Sequence, residues 1–361
     1  MRLKLISAFL VLFALTFTYL IFYRSVFNIN YPLVNNGHFN KRSPVFNIAV
    51  VVCGHRLQES LVMIKSALLF SQFDGGNIHF WIFAESLLKT ELNERLNDWR
   101  NFIHFSFEVM PLTFPKQNRK EWQSLFKPCA SQRLFLPLLL PEVDSVLYVD
   151  TDVIFLSPIS DIWKHFQRFN ASQFAALTPE HEDENIGWYN RFARHPYYGR
   201  MGVNSGVMLM NLTRMRVHKW VSHIVPIYNE YKLRITWGDQ DIINVFFYYN
   251  PDSLYLLSCE YNYRPDHCMY ISVCNASVEG IKLLHGNRGY FHSNKQPLFK
   301  VVYEAVESYK IGSNPYYYFV LPLNSSLNEN AVKETNCGLL TEETMYVARQ
   351  IFGVYHKIMY D

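Results

Sequence analysis

The sequence lacks the signatures of several large protein classes. No Gly-x-Gly-x-x-Gly motif follows its first predicted strand, which excludes a dinucleotide site of that type. The formal net charge is only +3, and the lysines and arginines are dispersed without a basic tail, so we expect no nucleic-acid partner. Neither an internal repeat nor a low-complexity tract is present. The 361 residues therefore suit one large α/β domain with a substantial core.

Cysteines are few, and their spacing does not match a zinc ribbon, which predicts a structural role. Cys259, Cys268 and Cys274 are close enough in the sequence to pair locally in an oxidising compartment. Cys53 lies inside an apolar strand and is predicted to be a buried free thiol.

The N-terminal region predicts a membrane anchor. Residues 5–23 carry no charge, and this length is about what a helix needs to cross a bilayer. The run ends in Tyr19-Leu20-Ile21-Phe22-Tyr23 rather than in small residues, which favours a retained anchor over a cleaved signal peptide. Arg2 and Lys4 outnumber Arg24, so the N-terminus is expected in the cytosol and the remainder in the lumen.

This pattern divides the chain into five segments. They are a cytoplasmic tail (1–4), a transmembrane signal-anchor (5–23), a lumenal stem (24–44), the main domain (45–310) and a C-terminal extension (311–361).

Asn-x-Ser/Thr sequons support a lumenal location, because N-glycosylation takes place in that compartment. Four of them follow the anchor, at Asn170, Asn211, Asn275 and Asn324. Chance is the alternative explanation, and Asn211 ends an apolar run where burial would prevent modification.

Strands and helices alternate in the first half of the main domain. Strands are predicted at 46–53, 78–83 and 103–110, with helical spacing of leucines between them. This alternation is typical of βαβ units and a parallel sheet. Further strands are predicted at 174–178, 203–211 and 281–284. Helices are predicted at 161–169, from the end of the 203–211 strand to about residue 231, and at 242–249. A connector is predicted at 324–328.

The string Tyr148-Val149-Asp150-Thr151-Asp152 ends a buried apolar strand. Alternate residues of a strand point the same way, so Asp150 and Asp152 are predicted to converge on one hard cation at the sheet edge. A cation held there would neutralise a diphosphate. The alternative is the solvated start of a loop.

His285 is likewise the first polar residue after an apolar strand, and two carboxylates with an imidazole suit Mn²⁺. The alternative is a histidine that bonds to the backbone at a strand end.

Two further motifs begin regular elements. In Asn204-Ser205-Gly206, the glycine would let backbone approach a ligand and Asn204 would bond sugar hydroxyls, unless the motif is an ordinary turn. In Trp237-Gly238-Asp239-Gln240-Asp241, Asp239 is either a helix cap or the start of a motif that places Gln240 or Asp241 under a sugar's anomeric carbon.

Cations and aromatic residues complete the candidate set. Arg133 and Lys295 are predicted to contact phosphate oxygens, or else to be ordinary surface charges. The segment 186–199 carries Trp188 and Tyr189 among arginines. Its rings are predicted to stack on a sugar or a protein acceptor, or else to pack on the domain's own core.

In this order, the Asp-x-Asp, Asn-Ser-Gly and Asp-Gln-Asp motifs and His285 with Lys295-Gln296-Pro297 resemble glycosyltransferase family 8. Longer strings are similar to those of the glucoside xylosyltransferases. They lie at 125–129, 186–198, 262–268 and 284–289, and the resemblance covers about residues 46–310.

The resemblance implies a GT-A fold, a Rossmann-like mixed sheet flanked by helices, in the catalytic domain 45–310. It implies UDP-xylose as donor and an α-1,3 xylosyl bond made with retention. The implied acceptor is O-linked glucose on EGF-like repeats such as those of Notch. It also implies a single-pass type II protein of the Golgi or endoplasmic reticulum membrane.

The resemblance also assigns roles by position. Asp150, Asp152 and His285 match the metal ligands, Lys295 matches the phosphate-binding lysine, and Asn204, Ser205 and Gln240 match donor contacts. Glu180 and His181 both lie near the family's remaining donor-sugar carboxylate, and the choice between them stays open. Val52 and Gly54 are expected at the nucleotide, and Trp188, Tyr189 and Trp237 at the acceptor.

Departures and alternatives remain. His285 and Lys295 are further apart than in the family's closing motif, Gln296 separates Lys295 from Pro297, and the stretch 216–231 is short for a glucoside xylosyltransferase. A covalent route through Asp241 and a same-face mechanism both stay open. The alternative functions are another family 8 activity, with a xyloside acceptor or a glucosyl donor, and a non-catalytic lumenal protein that binds EGF repeats.

Overall fold

In the computed structural model, the described residues are 44–116, 118–125, 129–276 and 279–354, and they belong to one compact unit. The predicted tail, anchor and all of the stem except Pro44 lie outside these ranges, as do residues 126–128 of the string at 125–129. Within the described ranges, no helix is both long enough and apolar enough to cross a membrane.

The regular elements alternate along the chain. The strands are β1 (Val45–Val52), β2 (Asn77–Ala84), β3 (Ser106–Pro111), β4 (Ser145–Val149), β5 (Val153–Phe155), β6 (Ala175–Pro179), β7 (Val203–Asn211), β8 (Leu254–Leu256) and β9 (Leu283–His285). The α-helices are α1 (Leu57–Ser71), α2 (Lys89–Arg100), α3 (Arg119–Ser124), α4 (Leu136–Leu139), α5 (Ile159–Trp163), α6 (Trp188–Phe192), α7 (Leu212–Val217), α8 (Trp220–Tyr231), α9 (Asp239–Tyr249), α10 (Pro297–Ser308), α11 (Leu321–Leu327), α12 (Asn330–Lys333) and α13 (Thr341–Ala348).

Short helical turns join these elements. The 3₁₀ turns are Gly54–Arg56, Ser86–Leu88, Ala130–Phe135, Lys164–Arg168, Pro251–Ser253, Cys259–Asn262, Pro265–His267, Tyr290–His292 and Cys337–Leu340. Two π-helical turns are Tyr316–Val320 and Arg349–Gly353.

The main sheet is mixed, as the GT-A expectation requires. Its seven strands lie in the order β3-β2-β1-β4-β7-β6-β8. The first four run parallel, which confirms the predicted βαβ arrangement, whereas β7 is antiparallel to both β4 and β6. A separate antiparallel pair joins β5 to β9 and places Val153 opposite His285.

The sheet is buried on both faces because its central strands are apolar throughout. In β1, Ile48, Val50 and Val52 belong to one core cluster, while Ala49 and Val51 belong to the other. Helices α1 and α10 pack on the first face, and α8 and α9 pack on the second. Successive residues of this strand thus pack against helices on opposite sides of the sheet.

The residues after 310 pack against the first of these faces. Phe319, Leu323 and Met345 are fully buried in the same cluster as α1 and α10. The predicted connector at 324–328 is wrong, because most of it lies in α11. Leu323 and Leu327 are spaced four residues apart and are both buried, and this pair fixes the helix against the core.

Two other predicted helices are divided. The predicted helix ending at Tyr231 is the pair α7 and α8, separated at Lys219, whose φ of 52° ends helical geometry. The predicted helix at 161–169 is α5 followed by a 3₁₀ turn.

All six cysteines form disulfides: Cys53–Cys129, Cys259–Cys274 and Cys268–Cys337. The prediction of a free thiol at Cys53 is wrong, since Cys53 directly follows β1 and forms a disulfide with Cys129. Local pairing is confirmed for Cys259 with Cys274, whereas Cys268 pairs across 69 residues with Cys337 and ties the C-terminal helices to the main domain.

Candidate active site

A cavity of about 1000 Å³ opens at the carboxyl ends of β1 and β4, the edge where open α/β sheets bind ligands. Because β7 runs antiparallel to β4, its beginning lies at this same edge. The backbone N–H of Asp150 donates to the carbonyl of Gly206 at 2.8 Å. This pairing brings the Asp-x-Asp and Asn-Ser-Gly motifs together.

Asp150, Asp152 and His285 form the centre of the cavity, with ligand atoms within 4.8 Å of one another. His285 Nε2 lies 3.4 Å from Asp152 Oδ1. The β5–β9 pairing and a 2.8 Å bond from the Gly286 N–H to the Asp152 carbonyl hold these two residues together. Two carboxylates and one imidazole fit a divalent cation such as Mn²⁺.

Arg133 lies beside Asp150 and lines the cavity, although only 4% of its surface is exposed. Its Nη2 is 2.8 Å from Asp150 Oδ1, and its Nε is 2.6 Å from Asp239 Oδ2. Burial favours a lower pKa for Arg133, but the Coulomb attraction of Asp150 and Asp239 outweighs it and the net pKa is raised. Arg133 thus orients and neutralises two carboxylates at the cavity wall, and its contact with a phosphate stays a prediction.

Asp239 is the carboxylate beside it, at the start of α9. Burial raises the pKa of Asp239, and Arg133 offsets part of this effect. The side chain also lines the cavity. Asp239 is thus part of the site, although the sequence analysis gave it no role of its own beyond a helix cap or the start of the Asp-Gln-Asp motif.

A second group of polar side chains lies beside the metal cluster. Asn204 Nδ2 donates to Glu180 Oε2 at 2.8 Å, and Gln240 Nε2 donates to the same oxygen at 3.3 Å. The N–H of Ser205 donates to Gln240 Oε1 at 3.1 Å. All four residues line the cavity, so the structure brings the predicted donor contacts together.

The open choice between Glu180 and His181 is resolved by their side chains. The Glu180 side chain faces the cavity. His181 is buried away from it, and its Nδ1 accepts a 2.9 Å hydrogen bond from the Asp183 N–H. Of the two residues, Glu180 is therefore the one placed to meet a ligand in the cavity.

Asp241 is fully buried and does not line the cavity, which contradicts a direct catalytic contact. Its Oδ2 accepts the N–H groups of Thr236 and Trp237, both at 2.7 Å. Its Oδ1 accepts the hydroxyl of Tyr189 at 2.8 Å, and His195 Nε2 lies 3.2 Å from Oδ2. Both carboxylate oxygens are thus occupied in holding the loop that carries Trp237.

The predicted acceptor residues also differ in position. Tyr189 is 1% exposed, so its predicted contact with an acceptor is wrong. Its ring packs over Gly202, where an added Cβ would lie 2.4 Å from Tyr189 Cδ2. Trp188 and Trp237 do line the cavity, edge to face with ring centroids 5.4 Å apart.

Two nucleotide-side predictions need correction. Val52 points into the core, because successive residues of a strand face opposite ways. The residues that line the cavity here are Val51, Cys53 and Gly54. Lys295 is exposed and does not line the cavity, so its placement does not favour the predicted phosphate contact.

Other basic side chains line the cavity. They include Arg56, Arg288, His292 and Lys300, and sequence reasoning identified none of them. The buried carboxylate of Glu59 holds Arg56, and its Oε1 lies 2.8 Å from His292 Nε2. His292 lies three residues before Lys295, so the available signal was the closing segment after His285.

Arg264 is a further residue that sequence reasoning did not assign. It is fully buried and donates from Nη2 to the carbonyls of Pro179 at 3.0 Å and Glu180 at 2.6 Å. It thereby fixes the backbone that presents the Glu180 carboxylate.

The predicted glycosylation sites differ in exposure. Asn170 and Asn275 are exposed. Asn211 caps α7 by accepting the Arg214 N–H at 2.8 Å. Asn324 lies inside α11, and its Oδ1 accepts Arg349 Nη2 at 2.8 Å.

Comparison with known proteins identifies similar chains. Residues 47–285 match the model of glycosyl transferase family 8. The chain is 50% identical over 304 residues to glucoside xylosyltransferase 1 of Rattus norvegicus, which covers 81% of this chain and 69% of the relative. It is 50% identical over 310 residues to glucoside xylosyltransferase 2 of Mus musculus, covering 82% of this chain and 69% of the relative.

Among solved structures, mouse xyloside xylosyltransferase 1 in its apo form matches with a TM-score of 0.52 at 19% identity, covering 68% of this chain and 98% of that one. This likeness concerns the fold.

Proposed function

The chain belongs to glycosyl transferase family 8, and we propose that it transfers xylose from UDP-xylose in α-1,3 linkage to O-linked glucose on EGF-like repeats. The observation that carries this proposal is one cavity that joins Asp150, Asp152 and His285 to a polar group around Glu180. The 50% sequence identity of the chain to glucoside xylosyltransferases supports xylose as the transferred sugar and a glucoside as the acceptor.

In this proposal Asp150, Asp152 and His285 hold Mn²⁺ or a similar divalent cation. The cation would supply positive charge to the donor diphosphate and to the departing UDP. Arg133 keeps Asp150 in place through its 2.8 Å contact. Arg56, Arg288 and Lys300 add positive charge around the same cavity. The sequence pattern assigned this role to Lys295.

Glu180 and Asn204 would bind hydroxyls of the donor sugar, and Gln240 would lie beside its anomeric carbon. Their mutual hydrogen bonds preorganise them before the donor arrives. Asp241 does not have the free approach that a nucleophile needs, because both its oxygens accept hydrogen bonds. This favours retention by attack of the acceptor hydroxyl on the face from which UDP departs.

Trp188 and Trp237 are the proposed acceptor platform. Both indoles line the cavity beside the donor-sugar group, and aromatic faces stack well on sugar rings. Asp241 accepts hydrogen bonds from the Tyr189 hydroxyl and the Trp237 N–H, so these two buried residues hold the platform in place and do not contact the acceptor.

We further propose a single-pass type II protein of the Golgi or endoplasmic reticulum membrane, with its catalytic domain in the lumen. Three disulfides favour an oxidising compartment, and the uncharged run at 5–23 would supply the anchor.

Release of UDP by a fragment of residues 40–361 tests the proposed reaction. The fragment is assayed with Mn²⁺ across a panel of UDP-sugars, with and without an EGF-like repeat that carries O-linked glucose. We expect release above background only when UDP-xylose and the glucosylated repeat are both present. Efficient release with another UDP-sugar or a xyloside acceptor would replace the proposed specificity. A folded fragment that binds the repeat without turnover would indicate a non-catalytic binding protein.

A further inference from the structure

Asn262 lies between the metal cluster and the donor-sugar group and has no exposed surface. Its Oδ1 is 2.9 Å from His285 Nδ1. Its Nδ2 donates to Asn204 Oδ1 at 2.9 Å and to Thr178 Oγ1 at 3.1 Å. One amide therefore connects the two halves of the site.

The orientation of this amide follows from its neighbours. The backbone N–H of Gly206 is only a donor, and it bonds to Asn204 Oδ1 at 3.0 Å. The group of Asn262 that meets Asn204 Oδ1 must then be its NH₂. The carbonyl oxygen of Asn262 consequently faces His285.

An amide oxygen only accepts, so His285 Nδ1 must carry hydrogen. In the neutral ring this leaves the lone pair on Nε2, the nitrogen that faces Asp152. We propose that Asn262 is a positioning residue that fixes the ring and tautomer of His285 for metal binding and couples the metal to the donor-sugar pocket through Asn204. The proposal rests on the proposed function, since it assigns His285 to a divalent cation.

The backbone keeps Asn262 in register with His285. The N–H of Tyr263 donates to the Leu283 carbonyl at 2.8 Å, and the N–H of His285 donates to the Tyr263 carbonyl at 2.7 Å. The disulfide Cys259–Cys274 closes the segment from which Asn262 projects. Backbone hydrogen bonds and a disulfide therefore fix the segment that carries Asn262.

Two substitutions separate the functions of this amide. Asn262→Leu removes the acceptor for His285 and the donor for Asn204. Asn262→Asp keeps an acceptor for His285 Nδ1–H but loses the donor for Asn204. Asn47→Leu is the matched control, because Asn47 is a partly buried asparagine bonded to Ser145 and Trp81, outside the cavity.

The readout is the Kd for Mn²⁺ alone, measured in the fragment 40–361 by the electron paramagnetic resonance signal of free Mn²⁺. We expect Asn262→Leu to weaken Mn²⁺ binding by about 10–100-fold, which is the usual effect of removing a residue that hydrogen-bonds to a metal-ligating histidine. Asn262→Asp and Asn47→Leu should bind within about threefold of wild type. In the xylosyl-transfer assay, Asn262→Asp should raise KM for UDP-xylose more than it lowers kcat.

Wild-type affinity in Asn262→Leu, or an equal loss in Asn262→Leu and Asn262→Asp, would overturn the inference. If Asn262→Leu does not fold, Asn262→Asp decides the question through its retained Mn²⁺ affinity and altered KM. Failure of the wild-type protein to bind Mn²⁺ would instead overturn the proposed metal site, so the two failures are distinguishable.

Discussion

Gly206 lies directly against the imidazole of His285: a Cβ added at Gly206 would lie 2.3 Å from His285 Cε1 and 2.7 Å from Nδ1. No real Cβ tolerates such contacts, so the ring occupies its position only because residue 206 is glycine.

Gly206→Ala is therefore expected to displace His285 and to weaken Mn²⁺ binding by about tenfold or more, with the fold retained. Calorimetric titration with Mn²⁺ measures the effect. Gly353→Ala is the matched control, because nothing lies within 4 Å of its Cβ position. Unchanged affinity in Gly206→Ala would contradict the assignment of His285.

Asp241 is predicted to support the site rather than to form a covalent intermediate. Asp241→Ala removes the acceptor of the Thr236 and Trp237 N–H groups and leaves the buried His195 without its carboxylate partner, so we expect a loss of about 3–5 kcal/mol in the free energy of unfolding. Rapid quenching of wild-type enzyme with UDP-xylose, followed by peptide mass spectrometry, should find Asp241 unmodified. A xylosyl adduct on Asp241 would show that a covalent route operates.

His195 should make stability depend on pH. Burial favours a lower pKa for His195, but its hydrogen bond and charge interaction with Asp241 raise the net pKa above the ordinary value. The stabilisation is therefore complete below the unfolded pKa of about 6.5 and is lost as pH rises through the higher folded pKa. His195→Gln should lower Tm more at pH 5.5 than at pH 8.5. Equal losses at the two pH values would contradict the charged pair.

The disulfide Cys268–Cys337 is expected to stabilise the packing of the C-terminal helices on the core. Cys337→Ser should lower the free energy of unfolding by about 2–5 kcal/mol, as loss of a native disulfide usually does. Urea titration of this variant and of Cys268→Ser/Cys337→Ser measures the loss with and without a remaining thiol. Wild-type stability in the double variant would show that helix packing alone suffices.

The sequence predicted the fold and the centre of the site because both depend on local patterns. Apolar runs in the sequence predicted the parallel strands β1 to β4. The polar residues that follow such runs identified Asp150, Asp152 and His285 as candidate ligands. The placement of Arg133, Asp241 and Tyr189 was not predictable in this way. Which side of a helix or loop is buried depends on partners far along the chain, such as Asp150 for Arg133 and Tyr189 for Asp241.

Long-range pairing limited the other predictions. Spacing alone favoured local partners for Cys268, but the disulfide joins it to Cys337 across 69 residues. Asn262 and Arg264 carry no motif of catalytic chemistry, and their roles follow only from the carbonyls and side chains around them.

The most direct test of the account is xylosyl transfer by Asp152→Asn, measured with UDP-xylose, a glucosylated EGF-like repeat and Mn²⁺ in parallel with wild type. The substitution keeps the size of the side chain and removes one negative metal ligand. We predict that kcat/KM falls by about 100-fold or more with Tm close to that of wild type, and that wild-type turnover ceases on chelation of divalent cations. Near-wild-type transfer by a folded Asp152→Asn variant would contradict the metal-dependent mechanism.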